Sequence, residues 1–139
     1  MRKYNYLLAL FFCLSSALSW AAEKAPLPLV YEIAKTGEKH EISRDDIESL
    51  FLYINEQGQY GFYCAFTEEG QKKNFKFFKA HAEKQVSISF DGSVLKSNIL
   101  IMPGDKPMDG VKMNFGDKLN KNLAMRMLQH LSKHSKQFD

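Results

Sequence analysis

His130 and His134 are the first residues whose spacing could support chemistry, because they lie four positions apart in a segment that predicts a helix. An i, i+4 pair places two imidazole rings on one helix face, where they could bind a divalent metal ion. No third candidate ligand lies at a spacing typical of metal sites. A histidine near a helix C-terminus also interacts favourably with the helix dipole. We therefore expect a solvated helix face here, with neither a metal ion nor another cofactor.

Cys64 is a second candidate, because a cysteine thiolate can act as a nucleophile when a base or a positive helix end activates it. The alternating segment YGFYCAF places this cysteine on the same strand face as Phe62 and Phe66. That setting favours a small buried hydrophobic residue. Three acidic residues at positions 45–48 could act as acid and base, but beside a predicted helix start they suit capping. The sequence predicts no catalytic residues and no enzyme.

The aromatic side chains give a better indication of function. Tyr53, Tyr60 and Tyr63, together with the strand phenylalanines, exceed what one sheet face needs for packing. If the helices cover one face of the sheet, the other face can expose an aromatic patch, which is a mark of a binding site. Long loops or a dimer partner covering that face is the equally weighted alternative, and the sequence leaves the oligomeric state open.

The loop at residues 103–109 is the second predicted contact site. It is rich in helix and strand breakers, and Pro103, Asp105, Lys106 and Met108 are its candidate binding residues. Loops on a rigid scaffold often carry recognition. The alternative is a simple connection between two strands.

The N-terminal segment at residues 1–21 reads as a secretory signal peptide. It has a basic start at Arg2 and Lys3, an apolar stretch at residues 7–14 and a small-residue cleavage site at Ser19 and Ala21. The apolar run is shorter than the roughly 20 residues that span a bilayer. We expect cleavage after Ala21 and a periplasmic protein that does not insert in the membrane.

The formal net charge and the number of cysteines both fall when the predicted signal peptide is removed. The full chain has 139 residues, a formal charge of +3 and two cysteines. Cleavage removes two basic residues and no acidic one, which argues against a broad positive face for nucleic acid. It also removes Cys13, so Cys64 has no partner for an internal disulfide.

The predicted elements must then position the candidate residues. Alternating and periodic hydrophobic patterns first indicate a strand at 29–33, a brief helical turn after Ser43, and a hairpin of 50–55 with 60–66, although 50–55 also fits a helix. A helix then runs from Thr67 to about 84, with Phe75, Phe78 and Ala82 toward the core. Strands at 86–90, 94–102 and 111–115 follow, and the last element is a helix with an apolar stripe from Leu119 to Leu131. Asp91-Gly92 predicts a two-residue hairpin turn.

This order predicts the α+β class, with a mostly antiparallel sheet and two helices packed on one face. A flexible leader at 22–28, a single domain at 29–133 and a polar tail at 134–139 complete the predicted organisation.

Several phrases in one order resemble the head part of the first periplasmic region of SecD, a protein-export subunit. Residues 46–47 precede a strand, and residues 62–70 (FYCAFTEEG) resemble that family's strand running into a Thr-x-x-Gly helix start. Residues 86–95 (VSISFDGSVL) resemble its hairpin, residues 103–115 resemble its glycine-containing return, and Ala124 lies in a closing helix of the expected kind. Lys96-Ser97-Asn98 stands where the family commonly has a proline.

The resemblance implies a surface that contacts exported polypeptide. In SecD the membrane part couples to the proton gradient, and the sequence shows no such segment after residue 21. The predicted function is therefore a non-catalytic periplasmic binding module for a polypeptide, linked to protein export. The alternative is a periplasmic inhibitor or immunity-type protein that neutralises a toxin or a cell-wall enzyme. A nucleic-acid partner is not expected.

Overall fold

Among the residues that the structure describes, the two α-helices and seven strands are short, and most follow local sequence patterns. The computed structural model describes residues 25–133, so the predicted signal peptide, the start of the leader and the tail with His134 lie outside it. The elements are β1 (Leu29–Ile33), β2 (Lys39–Ile42), a 3-10 turn (Arg44–Asp46), β3 (Ile47–Ile54), β4 (Tyr60–Phe66), α1 (Glu68–Ala80), β5 (Gln85–Phe90), β6 (Ser93–Leu100), β7 (Gly110–Asn114), a second 3-10 turn (Gly116–Lys118) and α2 (Lys121–Leu131).

Capping side chains set the starts of the helical segments. At the first 3-10 turn, the Asp46 carboxylate accepts hydrogen bonds from the Ser43 backbone N–H and from the Ser43 hydroxyl. The Thr67 side chain accepts a hydrogen bond from the Gly70 backbone N–H at the start of α1. Asn120 caps α2 by accepting from the Leu123 N–H. The predicted cap at Thr67 is confirmed, whereas the Ser43 side chain makes no cap hydrogen bond. Among the acidic residues at the turn, Asp46 accepts from the backbone.

The strands confirm the α+β class and divide into two antiparallel sheets. One sheet has four strands in the order β2-β1-β5-β6, and the other has three strands in the order β3-β4-β7. The favoured hairpin is confirmed, since β3 and β4 pair antiparallel from Ser49 to Ile54. Asp91 and Gly92 both have positive φ in the β5–β6 turn, as a tight hairpin requires. The sequence predicted one sheet, because hydrophobic alternation does not reveal which strands pair across the chain.

The core lies between the inner faces of the two sheets and the helices. Phe62 on β4 and Phe90 on β5 are fully buried in it. The helix α1 contacts β2, β4 and the first 3-10 turn, whereas α2 contacts β3 and β4. The predicted apolar stripe on α2 is confirmed, since Ala124, Met127, Leu128 and Leu131 are all buried.

The end of α1 differs from its prediction. The helix stops at Ala80, His81 caps it, and Ala82 is exposed rather than facing the core. The chain reverses at Glu83, which has a φ of 66°, and enters β5. The buried positions of α1 are Gly70 and Asn74. The periodic phenylalanines suggested an apolar face, but the helix packs partly through small and polar residues.

Candidate functional site

Cys64 lies in the core and not at a surface where it could react. It is 3% exposed, and burial raises the pKa of its thiol to about 12. The thiolate is the reactive form of cysteine, so a raised pKa suppresses nucleophilic chemistry. The prediction of a small buried hydrophobic residue is confirmed.

We expect Cys64 to resist thiol reagents in the folded protein. At about pH 8, native Cys64 should react with a disulfide reagent at least ~100-fold more slowly than in the unfolded chain, because both access and thiolate fraction are low. The measurement is the rate of reagent colour release with and without denaturant. Rapid labelling of the native protein would show that Cys64 is accessible and activated.

The histidines are engaged in structural contacts. His130 Nδ1 accepts a hydrogen bond from the Leu27 N–H at 3.0 Å, and its ring packs against Phe90. Burial, followed by the charges of Arg126 and Arg44, lowers the pKa of His130. Within residues 25–133, no group of three or more histidine, cysteine or acidic side chains is arranged to hold a metal ion. His134, the other histidine of the i, i+4 pair with His130, lies outside the described residues.

Two of the three predicted tyrosines meet on the outer face of the three-stranded sheet. The Tyr53 and Tyr63 ring centroids are 4.8 Å apart, and Lys112 Nζ lies 5.1 Å from the Tyr53 centroid and 5.4 Å from that of Tyr63. Tyr63 is 47% exposed. Tyr60 belongs elsewhere, because it is partly buried and packs against the core. Strand alternation places it on the opposite side of β4 from Tyr63.

Phe51 completes this outer face and was not among the predicted binding residues. It lies directly opposite Tyr63 in the β3–β4 register and is 59% exposed. Its neighbours in LFLYI are all apolar or aromatic, so composition alone does not distinguish it from a core residue. Counting alternate positions back from Tyr53 would have placed it on the same face. We call Phe51, Tyr53 and Tyr63 the aromatic face.

The loop between β6 and β7 borders a cleft on the other side of the three-stranded sheet. The cleft has a volume of about 270 Å³ and lies between the two sheets, α1 and this loop. Pro103, Lys106 and Met108 line it. Asp105 is exposed and does not line it. The loop residues and the tyrosines therefore belong to two separate surfaces.

The fold and these surfaces define a class: a small two-sheet α+β protein with an open aromatic sheet face and a separate apolar cleft. No helix among residues 25–133 is long and apolar enough to cross a membrane.

A comparison with solved structures shows that this fold is similar to that of a known protein. The chain is similar to a structure of SecDF, described as a membrane component that enhances protein export, with a TM-score of 0.56 and 14% sequence identity. The match covers 77% of this chain and 62% of that chain. No family model matches the sequence, and no curated protein matches it. The resemblance to the SecD head is thus confirmed as a likeness of fold.

Proposed function

We propose that this protein is a non-catalytic periplasmic module that binds a polypeptide as an additional strand along β3. The observation that carries the proposal is the edge of β3, an eight-residue strand that pairs with β4 and, among residues 25–133, with no other strand. An unpaired edge presents backbone N–H and C=O groups to a further extended chain.

The sequence of β3 lacks most of the features that keep an edge strand from pairing with another chain. Natural edge strands are commonly protected by lysine, proline or a bulge. Residues 49–54 (SLFLYI) contain neither lysine nor proline, and the register shift of β3 lies before them, between Ile47 and Ser49. Ile54 at the end of the strand is 60% exposed. The segment thus combines an open edge with apolar side chains.

The aromatic face supplies side-chain contacts for the added strand. A chain paired with β3 would place alternate side chains beside Phe51 and Tyr53, on the face where Phe51 is 59% exposed. Aromatic side chains bury large areas at interfaces and carry much of their binding energy. Backbone pairing would give affinity for many sequences, and the aromatic face would favour apolar ones.

The likeness to SecDF supports a link to protein export, because SecDF is a component that enhances export. The polypeptide bound here would then be an exported chain. The alternative proposal is an inhibitor or immunity-type protein that inserts its loop into a partner enzyme. Met102 and Met108, which are 72% and 50% exposed in the connection between β6 and β7, favour this alternative.

The test uses a permanently unfolded, carboxymethylated polypeptide and the F51K variant. We expect F51K to weaken binding about tenfold, a loss of about 1.4 kcal/mol, because it removes an aromatic contact and adds an edge charge. The matched control is V94K, which places the same charge on the edge strand β6, where Val94 is 56% exposed. Fluorescence anisotropy gives the affinities.

Hydrogen exchange then distinguishes strand addition from other binding. The bound polypeptide should slow exchange of amides in β3 and not in β6. Equal affinities of F51K and the unaltered protein, or protection confined to the loop at 103–109, would refute binding at β3. Protection of the loop by a folded enzyme would support the inhibitor alternative.

A further inference from the structure

We propose that the cleft between the two sheets is a binding site for a single-chain anionic amphiphile, a medium-length acyl carboxylate carrying an oxygen along its chain. This site is separate from β3, because it lies beside β7 at the opposite edge of the three-stranded sheet. It therefore stands independently of the proposed polypeptide binding.

The walls of the cleft suit an acyl chain. Side chains from β5, β6, β7 and α1 line it, among them Val86, Ile88, Ile99, Val111, Met113 and Phe78. Its volume of about 270 Å³ corresponds to about nine water molecules at about 30 Å³ each. An apolar cleft of this size suits a chain of medium length, since burying its methylene groups releases water from both surfaces.

Asn74 places an unsatisfied polar group at this cleft. The residue is 5% exposed, and its Oδ1 lies 2.7 Å from His40 Nε2, where the imidazole N–H can donate to it. Its Nδ2 is buried and has no hydrogen-bond partner in the described part of the chain. A buried amide donor without an acceptor is rare and costly. Because Nδ2 itself is covered while Asn74 lines the cleft, the amide would turn toward the cleft to donate to a carbonyl or hydroxyl oxygen on the bound chain.

The charged side chains around the cleft favour a ligand with a negatively charged head group. Lys96 from β6 and Lys106 from the loop line it, and neither has an ion-pair partner within residues 25–133. No aspartate or glutamate lines the cleft, although Asp105 and Asp109 lie nearby in the loop. Lys112 also borders the cleft, but its ammonium group lies over the two tyrosines. An anionic head group therefore has two lysines available.

Calorimetric titration with decanoate and with decyltrimethylammonium tests the charge and the chain together. We expect saturable binding of decanoate and none of the cation. The K96Q/K106Q variant should bind decanoate about threefold to tenfold more weakly, as expected for exposed ion pairs. The matched control K118Q/K121Q removes the same charge outside the cleft and should change the affinity less than twofold.

A series of oxodecanoates, with the carbonyl at successive chain positions, tests the role of Asn74. One position should bind at least about threefold more tightly than decanoate, because its oxygen accepts from Nδ2. The N74L variant should lose this gain while still binding decanoate. Backbone amide shifts of Ile88 and Met113 locate the ligand in the same titrations, and they remain informative in the unaltered protein if N74L does not fold. No saturable binding, equal binding of the cation, or shifts outside the cleft would overturn the proposal.

Discussion

Replacing Phe62 with alanine will lower the free energy of unfolding by about 3–5 kcal/mol, which is the usual cost of truncating a buried aromatic side chain. Phe62 is 0% exposed on β4, the central strand of its sheet. Truncation removes apolar contacts and leaves a cavity that a close-packed core cannot fully fill. Urea or thermal unfolding followed by circular dichroism measures the loss.

The matched control is Phe51→Ala on the neighbouring strand. Phe51 is 59% exposed, so its removal should cost less than about 1 kcal/mol. Under the proposed function, F51A nevertheless weakens polypeptide binding. The two variants therefore distinguish a phenylalanine that stabilises the fold, Phe62, from one that contributes to binding at the surface, Phe51. Similar stability losses in F62A and F51A would contradict this assignment of the two faces.

Asp46 carries the second large expected effect, because it ties the first 3-10 turn to α1. Its Oδ2 accepts from the Ser43 N–H at 3.1 Å, and its Oδ1 lies 3.1 Å from Lys73 Nζ. The Asp46 side chain is 5% exposed, whereas that of Lys73 is 59% exposed. We expect Asp46→Ala to lower the free energy of unfolding by about 2–3 kcal/mol, through lost capping and an unpaired Ser43 N–H.

The stabilising effect of Asp46 should depend on pH. Burial raises the pKa of its carboxyl, but hydrogen bonds from Ser43 and Lys73 outweigh burial and hold the pKa below its ordinary value. A depressed folded-state pKa gives stability that is present above the unfolded pKa and lost as the pH falls through the folded one. The difference between the unaltered protein and D46A should therefore shrink between about pH 5 and about pH 2.

Asp45→Ala is the control for Asp46, since Asp45 is exposed in the same turn. It should change stability by less than about 0.5 kcal/mol and leave the pH dependence unaltered. Equal effects of D45A and D46A would show that the turn responds to acidic charge in general. Parallel unfolding curves at each pH, for all three proteins, provide the comparison.

Local features of the fold were predictable from the sequence. The bounds of β1 agree with the alternation of Leu29, Tyr31 and Ile33, because a strand with one buried face shows a two-residue period. Thr67 and the Asp91-Gly92 turn act through neighbours within a few residues, so their roles are visible in a short segment. The burial of Cys64 followed from the same alternation.

The sites were predicted less completely, because they depend on contacts between distant segments. Tyr53 and Tyr63 were predicted together, but Phe51 was missed, and Tyr60 proved to face the core. Asn74 lies within the predicted helix, but its contact with His40 on β2 depends on tertiary packing. Neither the free edge of β3 nor the cleft could be derived from periodicity, which describes one element and not its neighbours.

The sequence by itself determined the α+β class, the main strands and helices, and the caps, since these depend on side-chain period and on backbone groups close along the chain. Only the tertiary structure decided that seven strands form two sheets in residues 25–133, and which strands are left at their edges. Pairing such as β1 with β5 joins segments more than fifty residues apart, and long-range packing selects it. That selection leaves β3 at the edge of its sheet and an apolar cleft between the two sheets.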